Sequence, residues 1–232
     1  MKAGTPAFRS TGDLAPAGSR RQFLEQAGRI SAGAAWSAAI APAVLGSLAL
    51  AGPARARAAV GSSDEAFWTA VQQPGAIVLI RHAHAPGIGD PEGFRLGACH
   101  TQRNLDERGR EQARRLGVMF RERGIMVGAV FTSQWCRTRE TAQLAFGAIA
   151  PGGVREEPAF NSFFGGQGDG ARQTMAARAI LRRWRGSGVF VGVTHQVNVQ
   201  ALSGVGLAPA ECVVVRPAEG DAAWPVAARL AV

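Results

Sequence analysis

The chain contains 232 residues, of which 47% are hydrophobic and 19% charged, and its formal net charge is +9. The first 58 residues hold seven basic and two acidic side chains, so residues 59–232 carry a charge of only +4. This modest charge, without a basic stripe interleaved with aromatic residues, argues against a nucleic-acid-binding protein. The remaining 174 residues suffice for one α/β domain with a sizeable core.

The N-terminal segment has the pattern of an export signal. Residues 19–24 read Ser-Arg-Arg-Gln-Phe-Leu, which matches the twin-arginine motif. A weakly apolar stretch rich in Ala and Gly follows at residues 30–51, and residues 54–58 contain two small-x-small cleavage patterns. We expect cleavage after Ala58, with Ala56 as the second choice.

A membrane anchor is the alternative interpretation of this segment. The apolar stretch is long enough to span a bilayer, but Ala and Gly give little transfer free energy and a cleavage pattern follows. We therefore expect residues 1–58 to be a removed signal peptide and residues 59–232 to form a single domain. The expected location is the periplasm, with the twin-arginine translocase as export partner and no membrane-embedded part in the mature protein.

The rest of the chain predicts helices that alternate with short apolar strands. The first elements in chain order are a helix at 62–73, a strand at 76–80, a long loop at 82–104 and a helix capped by Asp106 that runs to about 123. A strand at 127–131, a helix at 137–146, an irregular insert at 151–170 and a helix at 171–184 follow. The last elements are a strand at 189–193, a helix from 197, a strand at 212–216 and an edge strand at 228–232. This alternation predicts a mainly parallel sheet with helices on both faces, which is a three-layer α/β/α sandwich.

Polar side chains follow the predicted strands where each strand ends. Arg81 and His82 come directly after the first strand, and His195 comes after the third. Ligands bind at the carboxyl ends of strands in α/β sheets, so a cation and an imidazole there form a candidate anion-binding and nucleophilic pair. Two more motifs accompany them: Thr-Gln-Arg-Asn-Leu at 101–105, and Ser-Gln-Trp-Cys-Arg-Thr-Arg-Glu-Thr-Ala at 133–142.

The order of these four motifs resembles the histidine phosphatase superfamily, also called the phosphoglycerate-mutase-like superfamily. The resemblance runs from about residue 76 to about residue 215 and implies the phosphoglycerate-mutase-like fold. Residues 87–91, 160–164 and 194–198 resemble an exported bacterial subgroup that is similar to phosphatases acting on lipopolysaccharide core heptose phosphate.

The resemblance implies that the protein is a phosphatase in which His82 attacks phosphorus and forms a phosphohistidine, which water then hydrolyses. It also implies a set of side chains that bind the phosphoryl oxygens or line the same pocket: Arg81, Arg103, Asn104, Arg137 and His195. A surface role is the alternative for Arg103.

The sequence departs from the family at the general acid. Many members carry a carboxylate within Leu-x-Glu, where residues 160–162 read Phe-Asn-Ser, and a distant branch has Asp after the second His, where Gln196 stands. We expect Asp90 to be the general acid, with Glu156 or Glu157 as alternatives. If no side chain supplies the proton, the enzyme favours good leaving groups and loses about 10²–10⁴ in rate on alkyl phosphates.

No metal or other cofactor is expected, since the sequence has neither Cys-x-x-Cys nor His-x-x-x-His spacing. The expected partner is a small phosphorylated substrate or a glycan or lipopolysaccharide phosphate. A non-catalytic phosphate-binding module and a phosphomutase are the alternative functions, and the sequence leaves the oligomeric state open.

Three cysteines lie in the expected exported domain. Cys99 precedes the Thr-Gln-Arg-Asn motif and Cys136 lies beside Arg137. If both flank one pocket, a disulfide between them would clamp two active-site loops in an oxidising compartment; two free thiols are the alternative. Cys212 lies in an apolar strand and is expected to be an inert core residue.

Overall fold

The computed structural model describes residues 54–232, and it describes side chains from residue 63 onward. The twin-arginine motif and the apolar stretch at 30–51 lie outside the described residues. The described chain contains a six-stranded sheet whose strands are β1 (Ile77–Arg81), β2 (Val127–Thr132), β3 (Val154–Glu156), β4 (Val189–Thr194), β5 (Cys212–Val215) and β6 (Val226–Leu230).

The strand order is β3-β2-β4-β1-β5-β6. The first four strands of this order are mutually parallel, and β5 and β6 are antiparallel to their neighbours. β1 and β4 lie side by side in register from the pair of Ile77 and Phe190 to the pair of Arg81 and Thr194. The predicted α/β class and mainly parallel sheet are confirmed.

Within residues 54–232, five α-helices cover the two faces of the sheet: α1 (Ala54–Val71), α2 (Glu107–Glu122), α3 (Cys136–Phe146), α4 (Gly170–Arg182) and α5 (Gln196–Ser203). α1 begins before the expected cleavage position after Ala58. Asp106 caps α2 as predicted, since its carboxylate accepts a hydrogen bond from the Gly109 amide at 2.9 Å. None of the described helices is long and apolar enough to cross a membrane.

Alternate residues of the central strands pack into two separate cores. Val78 and Ile80 face a core built from α1, α2 and α3, with the aromatic rings of Phe67, Trp68 and Phe120 at its centre. On the opposite face the core is built from α4, α5 and the chain before β6, and its largest members are Phe160, Phe190 and Trp224. Because both faces are covered, the central strands are apolar throughout, which is why they were recognisable in the sequence.

The insert at 151–170 is more ordered than the sequence suggested. It contains β3, which pairs with β2 as an edge strand, and two short 3₁₀ helices, Pro158–Phe160 and Phe164–Gly166. β3 has three residues, two of them exposed and charged, so no apolar run or alternation marks it. Its position beside β2 brings the insert to the carboxyl edge of the sheet.

Candidate active site

The two expected histidines meet at the carboxyl edge of the sheet. β1 and β4 are neighbours, and His82 and His195 are the residues that directly follow them. The His82 amide donates a hydrogen bond to the Thr194 carbonyl at 2.9 Å, which continues the ladder one residue past the strands. The ring centroids of the two histidines are 5.5 Å apart, and each residue is only 3% exposed.

The imidazole of His82 is held in one tautomer. Its Nδ1 lies 2.8 Å from the carbonyl oxygen of Ala83, and since a carbonyl only accepts, Nδ1 carries the hydrogen. The Ala83 amide is fixed in turn by a 3.0 Å hydrogen bond to Thr141 Oγ1. Burial, followed by the positive charge of Arg137, lowers the pKa of His82 to about 3. The ring is therefore neutral at physiological pH, and Nε2 keeps its lone pair.

His195 is oriented by the loop that follows β2. Its Nε2 lies 2.9 Å from Ser133 Oγ, which also accepts a hydrogen bond from the Trp135 amide at 3.2 Å. The indole ring of Trp135 packs against the imidazole with 5.3 Å between centroids. Burial, and then the proximity of His82, lowers the pKa of His195 well below its usual value. Both imidazoles are thus uncharged donors or acceptors.

A cavity of about 370 Å³ opens onto the two imidazoles. Its charged lining consists of three guanidinium groups and one carboxylate: Arg81, Arg103, Arg137 and Asp90. Two positive charges are therefore left uncompensated beside two neutral rings, which suits a dianion. Among the described side chains, Nε of Arg81 and Nε of Arg137 are buried without a hydrogen-bond partner, and an anion in reach would satisfy such donors.

Arg137 and Asp90 form a buried ion pair. Arg137 donates from Nη1 and Nη2 to the two carboxylate oxygens of Asp90 at 2.7 and 3.1 Å, and the side chains are 3% and 2% exposed. Asp90 also accepts from the Arg103 amide and from the Trp135 indole, both at 3.0 Å. This environment favours the ionised carboxylate, which is the opposite of what the expected general-acid role requires.

Arg81 and Arg103 are fixed by backbone carbonyls. Arg81 Nη1 donates to the Leu207 carbonyl at 2.7 Å. Arg103 donates from Nε to Gly89 at 2.7 Å and from Nη1 to Ala85 at 2.6 Å, so it braces the loop that follows His82 while its charge borders the cavity. The surface role considered for Arg103 does not match this position.

Asn104 is the expected pocket residue that the structure does not bring to the cavity. Its amide donates to the carbonyls of Cys99 and Gln102 at 2.6 and 3.1 Å, and it borders a different cleft. That cleft also contains the disulfide between Cys99 and Cys136, whose Cα atoms are 5.6 Å apart. The predicted disulfide is therefore present, and Cys212 is a free, buried cysteine as expected.

The other acid candidates lie away from the cavity. Glu156 forms an ion pair with Arg139 at 3.3 Å, and Glu157 accepts a hydrogen bond from the Ala159 amide at 3.0 Å. Neither residue lines the cavity that contains His82.

Sequence reasoning missed several residues of the site. The role of Trp135 in holding both Asp90 and His195 has no sequence signal, since a Trp between a strand and a helix is read as core. The remaining side chains of the cavity wall come from the loop after His82, from the insert and from α5, and they are Ile88, Ser162, Phe164, Gln167, Gln196, Val197 and Gln200. Gln196 and Gln200 are four apart at the start of α5, a spacing that places both on the helix face next to His195.

The structure contains no group of three or more His, Cys, Asp or Glu side chains, among those described, that could hold a metal ion. The functional groups of the site are the imidazoles, the guanidinium groups and the paired carboxylate.

The fold and the site together define an α/β protein with a cavity at the carboxyl edge of its sheet, lined by two imidazoles and three guanidinium groups. The family model of the histidine phosphatase superfamily (branch 1) matches residues 77–190, which include the Arg-His pair and Arg137. This match places residues 77–190 in the histidine phosphatase superfamily, and it supports a phosphatase activity that uses histidine. No curated protein matches the chain.

Solved structures of phosphatases are similar to the chain at low sequence identity. The protein histidine phosphatase SixA complexed with tungstate is 13% identical, with 61% of this chain and 87% of that chain covered and a TM-score of 0.43. A phosphoserine phosphatase variant from Entamoeba histolytica in complex with phosphoserine is 12% identical, with coverage of 66% and 95% and a TM-score of 0.47. A mycobacterial glucosyl-3-phosphoglycerate phosphatase in complex with VO3 is 14% identical, with coverage of 65% and 96% and a TM-score of 0.46. The finer resemblance to an exported subgroup is not confirmed by these matches and stays a prediction.

Proposed function

We propose that the protein is an exported phosphomonoesterase that hydrolyses its substrate through a phosphohistidine on His82. The observation that carries the proposal is a neutral imidazole with an unused Nε2, facing a cavity that three guanidinium groups border. A nucleophile of this kind needs no base to activate it, because the fold already keeps the ring unprotonated.

The reaction has two phosphoryl-transfer steps. In the first, the Nε2 lone pair of His82 forms a bond to phosphorus, and the bond to the leaving oxygen breaks with its electrons staying on that oxygen. The ring gains a positive charge, which the hydrogen bond from Nδ1 to the Ala83 carbonyl stabilises. In the second step the oxygen of water attacks phosphorus, the N–P bond breaks with its electrons returning to Nε2, and a proton of the water passes to solvent.

The charge around the cavity suits the phosphoryl group in both steps. A phosphate monoester dianion would balance the two uncompensated guanidinium charges. Donors fixed before the substrate arrives stabilise the charge on the equatorial oxygens without reorganisation during the reaction. Arg137 is held by Asp90 and Arg81 by Leu207, so both are fixed in this sense. His195 is our proposed third donor to the phosphoryl oxygens.

Export to the periplasm is the second part of the proposal. It is supported by the twin-arginine motif at 19–24 and by the disulfide between Cys99 and Cys136, since disulfides persist in oxidising compartments. The proposed substrate is a small phosphorylated molecule that occurs outside the cytoplasm.

Replacing the nucleophile tests the proposed reaction. In the purified full chain, His82→Ala should lower p-nitrophenyl phosphate hydrolysis by about 10³-fold or more, because the covalent route is lost. Rapid quenching of the unaltered chain should trap protein-bound phosphate that is stable in base and labile in acid, and His82→Ala should trap none. His100→Ala is the matched control, because His100 is exposed in the short 3₁₀ helix Cys99–Thr101, outside the cavity.

Isothermal titration with inorganic phosphate separates loss of the nucleophile from loss of the fold. His82→Ala should still bind phosphate, because the guanidinium groups remain. Normal turnover by His82→Ala would refute the assignment of the nucleophile. Phosphate binding without hydrolysis or trapped phosphate in the unaltered chain would instead identify a non-catalytic phosphate-binding module.

A further inference from the structure

Hydrolysis of an alkyl phosphate normally needs a proton for the departing alkoxide, and phosphatases obtain it from a carboxylic acid or another protonated side chain in the cavity. Asp90 is the only carboxyl among the described residues that line the cavity. The protonation of this one side chain therefore bears directly on which leaving groups the site can release.

The carboxylate of Asp90 accepts hydrogen bonds from one guanidinium group and from two other N–H donors. Its two oxygens accept four hydrogen bonds, two from Arg137 and one each from the Arg103 amide and the Trp135 indole, at 2.7–3.1 Å. Burial alone would raise the pKa of Asp90, but the hydrogen bonds and charge of Arg137 outweigh burial and lower the pKa below its ordinary value. A proton on either oxygen would have to replace one of these donors.

The remaining side chains of the cavity do not replace Asp90 as a proton source. His195 is neutral, and a neutral imidazole donates a hydrogen bond but is far too weak an acid to give up its proton. The guanidinium groups stay charged over the whole physiological range. Ser162 Oγ accepts a hydrogen bond from the Phe164 amide at 3.2 Å and is an alcohol, which is no stronger an acid than the alkyl leaving group.

The exposed residues that line the cavity carry no charge. Ile88 is 90% exposed and Phe164 is 49% exposed, and both line the cavity on the side where the loop after His82 meets the insert. The polar groups beside them are the neutral amides of Gln167, Gln196 and Gln200. Exposed apolar side chains at a cavity mouth are typical of ligand contact, and these would pack against a flat, uncharged group.

We propose that the site is selective for aryl phosphate monoesters, whose leaving group is a phenolate that departs without a proton. This inference rests on the proposed phosphohistidine function and names its substrate class. The Nε2 lone pair of His82 displaces the phenolate, which keeps the electrons of the broken P–O bond and diffuses away as an anion. The aromatic ring lies between Ile88 and Phe164, while the phosphoryl group lies against Arg81 and Arg137.

The test compares phenyl phosphate with benzyl phosphate. Both carry one aromatic ring, but the first releases a phenol with a pKa of about 10 and the second an alcohol that is a much weaker acid. We measure kcat/KM, because it reports formation of the phosphohistidine and not its later hydrolysis. The proposal expects kcat/KM for phenyl phosphate to exceed that for benzyl phosphate by at least about 10²-fold. Within a series of substituted phenyl phosphates, kcat/KM should fall steeply as the pKa of the phenol rises.

Asp90→Asn distinguishes a positioning residue from a general acid. If Asp90 only positions Arg137, the variant should lose about 10²-fold in kcat/KM on phenyl and benzyl phosphate alike, and the dependence on the phenol pKa should not change. If Asp90 is the acid, the loss should be confined to benzyl phosphate. Asp221→Asn is the matched control, because Asp221 lies exposed in a loop outside the cavity.

Equal kcat/KM for phenyl and benzyl phosphate in the unaltered chain would overturn the inference, and this comparison stands even if Asp90→Asn fails to fold. A loss on benzyl phosphate alone in Asp90→Asn would overturn it as well. These results differ from failure of the proposed function, in which no aryl phosphate is hydrolysed and no protein-bound phosphate is trapped.

Discussion

The disulfide between Cys99 and Cys136 joins two segments that carry parts of the site. Cys99 lies in the short 3₁₀ helix Cys99–Thr101, three residues before Gln102, whose side-chain oxygen accepts a hydrogen bond from the Cys136 amide. Cys136 is the first residue of α3 and directly precedes Arg137. The perturbation that tests the contribution of this bond is the double variant Cys99→Ser and Cys136→Ser, which removes the bond without leaving a reactive thiol beside the cavity.

The magnitude follows from the length of chain that the bond closes. The two cysteines are 37 residues apart in sequence, and the chain-entropy relation for a loop of that length gives about 4 kcal/mol of stabilisation at 25 °C. For a domain of this size 1 kcal/mol corresponds to about 2–4 °C in Tm, so the double variant should melt about 8–16 °C lower. The hydrogen bond from the Cys136 amide to Gln102 remains in the variant, so the local geometry of α3 should survive.

The assay is urea unfolding followed by tryptophan fluorescence, with and without a phosphine reductant. Reductant should lower the unfolding midpoint of the unaltered chain to that of the double variant, and it should leave the double variant unchanged. Thiol titration under denaturing, non-reducing conditions should find one free thiol, which belongs to Cys212. Three free thiols would refute the reasoning, as would a midpoint that reductant does not move although the bond has been reduced.

Two further predictions concern pH and export. Because the fold holds the pKa of His82 at about 3 and that of His195 well below the usual 6.5, the unfolded chain binds more protons at mildly acidic pH. The free energy of unfolding should therefore have its full value above pH 6.5. It should decrease toward pH 3, by up to about 1.4 kcal/mol per pH unit for each imidazole, in urea titrations at several pH values. His82→Gln should make this pH dependence less steep, and a free energy of unfolding that does not change with pH in the unaltered chain would contradict the burial argument. Replacing Arg20 and Arg21 by Lys should leave the protein unprocessed in the cytoplasm on cell fractionation, whereas Arg29→Lys should not, and normal periplasmic accumulation of the paired variant would argue against the twin-arginine route.

The sheet was predictable because its strands are short, apolar and bounded. Four strands, β1, β2, β4 and β5, begin and end within one residue of their predicted limits. A strand that is buried on both faces is a continuous apolar run, so its ends are easy to locate in the sequence. β3 was not predictable, because an exposed three-residue edge strand has neither an apolar run nor an alternating pattern. α1 begins eight residues before the predicted helix at 62–73, where the sequence is dominated by Ala and Arg, both good helix formers.

The meeting of His82 and His195 was predictable from the rule that parallel strands present their carboxyl ends at one edge. What the sequence does not show is which polar groups pair within that edge. Asp90 was visible as a carboxyl in the loop after His82, but its partner Arg137 lies 47 residues further along the chain. Asn104 is the opposite case, because its place in a recognisable motif predicted a position at the cavity. Its side chain instead hydrogen-bonds to the nearby backbone carbonyls of Cys99 and Gln102.

The position of Asp90 shows why rigid phosphate binding and proton donation compete for one carboxyl. An ionised Asp90 fixes Arg137, and breaking a buried pair of this kind by removing one partner costs about 3–5 kcal/mol. A general acid contributes about 10²–10⁴ in rate, which corresponds to about 3–5 kcal/mol of activation free energy. A protonated Asp90 would have to give up one of its hydrogen bonds from Arg137, so it would weaken the alignment of Arg137 while it supplied a proton to the leaving group. A site that aligns Arg137 but does not protonate the leaving group accelerates most the reactions whose leaving group needs no proton. On those substrates the fixed guanidinium of Arg137 stabilises the transition state without the loss that a missing acid causes.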